Sequence, residues 1–321
     1  MTILATGANG FVGAHTVAAL ARNWPGEEIV AADIAPPPDF VRAFWGAAPV
    51  VPLRLDIADR HAVAAAVAAH RPRFVVHMAA ITPSPEMETT DPLRVVDINI
   101  LGAANVLDAA AGSPDTVRIV LLSSSIVYGF GPLLPSPLAE GTALDPIGLY
   151  AVSKVACEGL ARRYRTLRGK DIVAARVAAT YGEMERPTAH RQTMSHIHTL
   201  FDALRARRPV TTTASPGMRD WTHADDIGEG ICALLAAARL NHDAYNISRG
   251  VGLPWTQVLE MFRAAGADIR MVDDPAAASL RFEAQAGRPP MAVERLAADT
   301  GFRPARDLRD AIARVASGGT I

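Results

Sequence analysis

The sequence predicts an α/β fold: a doubly wound parallel sheet wrapped by crossover helices, followed by a smaller C-terminal α/β portion. Three observations carry that expectation. Short apolar runs alternate with longer amphipathic segments through the first half of the chain. A glycine-spaced turn, TGANGFVG, joins the first apolar run to the first amphipathic segment. An acidic residue, Asp33, then closes the second run twenty residues beyond Gly13.

The strand-like runs are Thr2 to Ala5, Glu28 to Ala32, Val50 to Leu55, Phe74 to His77, Val117 to Leu122 and Ile172 to Arg176. Each is short and aliphatic, as a strand buried on both faces should be. Helical patterns occupy most of the gaps, at Gly10 to Arg22, His61 to His70, Pro92 to Ala111 and Leu149 to Arg168. The proline clusters APPPDF and ITPSPE punctuate the chain as loops. Beyond residue 180 the alternation loosens into a polar stretch, EMERPTAHRQ, and a helix near Met194 to Ala206. A helix over Asp225 to Ala238, a short strand in AYNIS, and helices near Trp255 to Ala265 and Leu308 to Val315 complete it.

With 321 residues and 50% hydrophobic content the chain can bury a large core. Its 32 basic and 33 acidic residues create no global field that would favour nucleic acid or a membrane surface. The N-terminal MTILATG lacks the basic head of a signal peptide, and charges break the apolar stretches before the roughly 18 residues of a membrane span. A cytoplasmic enzyme is expected. Cys157 and Cys232 lie in Ala-rich helical patterns outside any CxxC or Cys/His cluster, so they read as buried thiols and no metal site is expected.

The glycine turn carries the first chemical signal. Gly7 allows the tight turn, Gly10 lets backbone approach a pyrophosphate, and Gly13 permits close packing of helix on strand, with Asn9, Phe11 and Val12 in the same loop. Asp33 at the second strand end can accept bonds from ribose hydroxyls and repels a 2'-phosphate, which favours NAD over NADP. Asp56, with Ile57 beside it, reads either as an adenine-side contact or as a helix N-cap.

Tyr150 and Lys154 stand four positions apart in GLYAVSK and project from one helix face. A phenol titrates near 10 and is a poor base at neutral pH; an adjacent ammonium favours the phenolate and makes it a usable acid/base. No side chain accepts hydride, so the glycine loop's nicotinamide cofactor supplies the acceptor. The run TVRIVLLSSSIVYG ends in serines at the carboxyl edge of the sheet, where ligands bind in such folds.

TGANGFVG, Asp33, HMAA at residues 77 to 80, DIN at 97 to 99, SSSIVYG and YAVSK follow one another as in the extended short-chain dehydrogenase/reductases, the NAD-dependent epimerase/dehydratase family. The chain resembles that family over nearly its whole length, most loosely in the C-terminal third. The resemblance implies that Tyr150 is the general acid/base and that Lys154 holds the nicotinamide ribose and tunes Tyr150. It implies that Ser124 bonds the substrate hydroxyl, with Ser125 a close competitor and Ser123 turned to the sheet. Ala79 and Ala80 would line the cofactor groove and Asn99 would support the site, whereas His77 reads as a packed strand-end histidine. The organisation implied is an NAD-binding Rossmann-type domain over residues 1–180, with the helix near 225–238 returning to it. Residues 181–321 would form a mostly substrate-binding domain, and a homodimer would pair through the helices at 92–111 and 149–168.

Departures from the family pattern bear on substrate. Its dehydratases carry Asp-Glu directly after the active-site serine or threonine; this chain has Ser125 and Ile126, which disfavours dehydration. Sugar-nucleotide epimerases commonly carry an asparagine three residues after the sixth-strand arginine, where this chain has Ala179. GMRDWTHADD resembles the family's Arg-Asp-aromatic segment, so Arg219, with Arg288 of GRPP, is a candidate anion clamp. Arg186, His190 and Arg191 fall in the region that covers the substrate in relatives. The expected activity is oxidation of a secondary hydroxyl on an anionic carbohydrate, a sugar nucleotide or sugar acid, by a dehydrogenase or epimerase. A non-catalytic dinucleotide sensor is the alternative, and Tyr150, Lys154 and the serines argue against it.

Overall fold

In a computed structural model, described over residues 1–46, 49–131, 133–283 and 287–321, the apolar runs of the first half become parallel strands joined by helices. In chain order they are β1 (Thr2–Thr6), α1 (Phe11–Asn23), β2 (Glu28–Asp33), α2 (Asp39–Trp45), β3 (Val50–Arg54), α3 (Arg60–His70), β4 (Phe74–His77), α4 (Pro85–Thr90), α5 (Pro92–Val95), α6 (Gly102–Gly112), β5 (Arg118–Ser124), α7 (Gly148–Arg168) and β6 (Asp171–Val177). The remainder comprises β7 (Ala179–Tyr181), α8 (His196–Ala206), β8 (Val210–Thr212), β9 (Met218–His223), α9 (Ala224–Ala236), β10 (Ala244–Ile247), β11 (Gly252–Pro254), α10 (Trp255–Ala264), β12 (Ile269–Met271), α11 (Glu294–Thr300) and α12 (Leu308–Ala316).

The main sheet has seven strands in the order β10-β6-β5-β4-β1-β2-β3, and every pairing in it is parallel. Strand order reverses at β1, whose neighbours are β2 and β4, so a crevice opens at the carboxyl ends of these strands. Alternation along β1 sends Ile3 and Ala5 into the cluster beneath α1 and α9, and Leu4 into the opposite cluster beneath α3, α6 and α7. Burial of both faces is why the inner strands read as apolar runs, whereas β3 at the sheet edge is partly exposed.

Two parts of the sequence reading change. The strand in AYNIS, expected within the C-terminal portion, is β10 and extends the main sheet beside β6. APPPDF is a loop only through its prolines, because α2 begins at Asp39. The helix near 225–238 appears as α9 and packs on α1, where a Cβ on Gly228 would come within 2.9 Å of the His15 carbonyl oxygen. Beyond β6, a mixed sheet β11-β9-β7 and a pair β12-β8 flank a separate cluster built on Phe201, Trp255 and Phe262.

By length and composition the 21-residue stretch Pro92–Gly112 is long and apolar enough to cross a membrane, although Arg94, Asp97 and Asp108 interrupt it. Its Val95, Val106, Leu107 and Ala110 are nonetheless buried in the protein. Both cysteines are buried and free.

Candidate active site

A cavity of about 420 Å³ lies at the strand ends, lined by the glycine loop, Asp33, Asp56, Ile57, Ala79, Ala80, Tyr150 and Lys154. Gly7 sits at φ +71°, and a Cβ there would meet Ala79 Cα at 2.7 Å. A Cβ on Gly13 would fall 1.9 Å from the Gly7 carbonyl oxygen. The loop thus closes against itself and delivers Phe11 and Val12 as the first residues of α1, whose leading N–H groups have no partner within the helix. Asp33 Oδ2 accepts from the Asn9 backbone N–H at 2.9 Å, which fixes the carboxylate at the groove edge. Asp56 is exposed and lines the groove, while the N-cap of α3 is Asp59, which accepts from His61 and Ala62. Asn9 Oδ1, His190 Nδ1 and Arg191 Nε are buried without a partner among the described residues, and all three belong to residues of this groove. A glycine cradle, a helix N-terminus and waiting polar atoms suit a dinucleotide, so the residues present fit NAD.

Tyr150 and Lys154 occupy the first turns of α7 and face this same groove. Lys154 is buried; its Nζ donates to the Leu122 carbonyl at 2.9 Å and lies 5.5 Å from the centre of the Tyr150 ring. Glu88 of α4 accepts from the Leu149 backbone N–H at 3.0 Å, countering the positive end of α7 directly before Tyr150. Ser153 Oγ donates to the Tyr150 carbonyl at 2.7 Å and accepts from Asn99 Nδ2 at 3.1 Å. Asn99 also bonds both backbone groups of Ile81 from a π-helical turn, Val96–Leu101. It therefore ties the segment after β4 to α7 and does not line the cavity, an arrangement common where π-bulges serve functional sites. His77 pairs with Thr6 Oγ1 at 2.8 Å, and burial together with the Lys154 charge pushes its imidazole down to about 3. It is a neutral, packed histidine.

The three serines have different surroundings. Ser123 donates to Glu158 at 2.6 Å, within a buried ion pair of Glu158 and Arg176. Ser124 ends β5, is half-buried, and accepts from the Ile126 N–H at 3.3 Å. Ser125 is buried and bonded to Arg288 Nη1 at 2.6 Å. Arg288 further donates to the Gly129 carbonyl at 2.8 Å and stacks over Phe130. Ser125, Ala179, Arg219 and Arg288 share a second void of about 10 Å³. Burial and the facing Arg219 push the Arg288 guanidinium down to about 9, and burial pushes Arg219 down to about 10. Asp225 pairs with His15 and Asp226 with Arg306, while the Arg219 guanidinium lies 5.1 Å from the centre of the Phe282 ring.

Arg186, His190 and Arg191, expected in the region that covers the substrate, lie in the same cavity as Tyr150 and Lys154. They line the groove of the glycine loop and none of them borders the arginine void. Sequence reading also missed Glu88 and Glu158. Glu158 was accessible to it, since it follows Lys154 by four positions on the same helix face; Glu88 comes from a loop-rich stretch with no local signal.

The fold and groove define an NAD-binding α/β enzyme of the short-chain dehydrogenase/reductase type. The chain belongs to the NAD-dependent epimerase/dehydratase family, whose pattern matches residues 3–248. It is 30% identical over 248 residues to UDP-glucuronate 4-epimerase 5 of Arabidopsis thaliana, covering 74% of this chain and 55% of the relative. The match thus spans about half the length of that relative. A dTDP-glucose 4,6-dehydratase from Actinoplanes sp. is 29% identical over 98% of this chain and 96% of its own length. The crystal structure of UDP-glucose 4-epimerase from Thermus thermophilus in complex with NAD superposes with a TM-score of 0.80 at 25% identity, covering 99% of this chain and 98% of the other.

Proposed function

We propose that this chain is an NAD-dependent epimerase acting at a secondary hydroxyl of a sugar nucleotide. The observation that carries the reading is that Tyr150 and Lys154 face the same groove as the glycine loop and Asp33. When bound, NAD supplies the hydride acceptor that no side chain provides. Tyr150 takes and returns the hydroxyl proton through its phenolic oxygen. Lys154 has three N–H donors, of which one is committed to the Leu122 carbonyl, leaving two for the ribose and for favouring the phenolate. His77, held neutral beside it, adds no competing charge. Ser124, half-exposed at the end of β5, orients the reacting hydroxyl, while Ser125 is occupied by Arg288.

Arg219 and Arg288 favour an anionic substrate, because desolvation lowers both guanidiniums and the Arg219 charge lowers Arg288 further, so an anion beside them would offset that cost. The relatives favour a uridine diphosphate sugar and epimerisation over net oxidation. Ser125 and Ile126 stand against dehydration despite the dehydratase relative. In this reading the elements after β6, other than α9, β10 and α11, form the substrate-side unit. The exposed Leu93 and Leu101, at 70% and 53%, support pairing of two copies through α5–α6 and α7.

The test is incubation of purified protein and NAD with sugar nucleotides and free sugar acids, followed by product analysis and NADH absorbance. An epimer with no net NADH is the expected result. Accumulating NADH identifies a dehydrogenase, and NAD binding without turnover of any substrate overturns the enzyme reading in favour of a sensor.

A further inference from the structure

The segment 184–191 is tied down at both margins of the cofactor groove. At one margin Arg186 Nη2 donates to the Asn9 carbonyl in the glycine loop at 2.7 Å, and its guanidinium lies 4.9 Å from the centre of the Phe40 ring at the start of α2. At the other margin the Thr82 N–H beyond β4 donates to the His190 carbonyl at 3.0 Å. Between them Arg191 lies 5.8 Å from the centre of the Phe11 ring, the first residue of α1. Its Nη2 is held at 2.5 Å by the buried Glu185, which also accepts from the N–H and hydroxyl of Ser195. The strap therefore touches the glycine loop, the first turn of α1, the first turn of α2 and the loop after β4.

These ties do not use up the strap's polar groups. Arg191 Nε and His190 Nδ1 remain buried without partners among the described residues, as does Asn9 Oδ1 facing them in the same cavity. Burial also holds the Arg186 guanidinium below its ordinary pKa, with the Asp33 charge opposing that shift. Along the cavity wall Lys154, Arg186 and Arg191 outnumber Asp33 and Asp56, three cations to two carboxylates. Adenine and the riboses are neutral; the diphosphate is the part of a dinucleotide that calls for N–H donors and positive charge. The arginine void beside Ser125 shares no lining residue with this cavity, which separates the strap from the proposed substrate anion.

We infer that Arg186 and Arg191 are cofactor ligands, that they hold the NAD diphosphate from the strap side of the groove, and that the strap thereby keeps the cofactor resident between turnovers. The inference rests on NAD as the ligand of this groove. It deepens the epimerase reading, because an enzyme that removes and returns the same hydrogen is served by a cofactor that does not leave.

Calorimetric titration of the full chain, stripped of nucleotide, with NAD, ADP and adenosine tests this in the wild type, Arg186→Gln and Arg191→Gln. The expected result is a loss of about tenfold to a hundredfold in affinity for NAD and ADP in each variant, with adenosine affinity unchanged. Protein purified from the variants also carries less bound nucleotide. Thermal unfolding of the stripped proteins identifies any variant that has lost its fold, and Arg186→Lys, which keeps charge without the guanidinium fork, should fall between Gln and wild type. Unchanged NAD and ADP affinity, or an equal loss for adenosine, overturns the inference. A wild-type protein that fails to bind NAD overturns the cofactor reading instead.

Discussion

In the proposed reading the glycine loop and the Arg219–Arg288 void each receive negative charge, by opposite means. At the loop the contacts are backbone, and their precision comes from missing atoms: Gly13 has no room for even a methyl group beside the Gly7 carbonyl. At the void the contacts are side chains: Arg288 is braced by Ser125, Gly129 and Phe130, and Arg219 lies over the Trp221 and Phe282 rings. A backbone site fails when an atom is added, whereas a side-chain site fails when a charge is removed. Substitutions should therefore break the two regions in distinguishable ways.

The largest effect should come from beneath both. Glu158→Ala leaves Arg176 buried without its carboxylate and removes the partner of Ser123, so stability should fall by about 3–5 kcal/mol in denaturant unfolding, with both sites lost together. Gly13→Val should cost about 1–3 kcal/mol by overpacking and abolish measurable NAD binding, since the Cβ would lie 1.9 Å from backbone oxygen. Arg288→Met should raise the substrate KM about tenfold to a hundredfold while leaving NAD affinity unchanged in calorimetry. A parallel loss of NAD affinity there would show that the two regions are not separate.

A further effect concerns acid. Burial pushes His77 down to about 3 and His223 down to about 4, both below the ordinary 6.5 of histidine. As pH falls below about 6.5 the unfolded chain takes up these protons first, so stability present above that pH is lost progressively toward 3. Thermal unfolding across pH should show this decline. His77→Asn should flatten the part belonging to the cofactor region, and His223→Asn the part belonging to the N-terminus of α9. A decline that neither variant alters would place its origin in other groups.

The same contrast governs what the sequence made legible. Five strands of the main sheet were readable because burial on both faces leaves apolar runs such as those inside TILAT and RIVLLSS, and β3, a half-exposed edge strand, was readable from its short aliphatic run. Gly7, Gly13 and Asp33 were readable because a backbone site fixes spacing along the chain. Tyr150 and Lys154 were readable because a helix turns four positions into one face. By contrast β7, β8, β11 and β12 have three residues each, too few to show an alternation. That β10 leaves its sequence neighbours to pair with β6 is a tertiary choice with no local signature. Arg288 reaches Ser125 across 163 positions, and Arg186 reaches Asn9 across 177, so their placements depend on the assembled fold.

The measurement closest to the central proposal is the pairing of NAD affinity with turnover in Tyr150→Phe. The substitution removes one oxygen from the groove and leaves Lys154, the glycine loop and Asp33 in place. The expected result is NAD affinity within about twofold of wild type, with sugar-nucleotide epimerisation followed by NMR falling about a hundredfold to ten-thousandfold. Turnover at the wild-type rate in a protein that still binds NAD would contradict the assignment of Tyr150 as the acid/base.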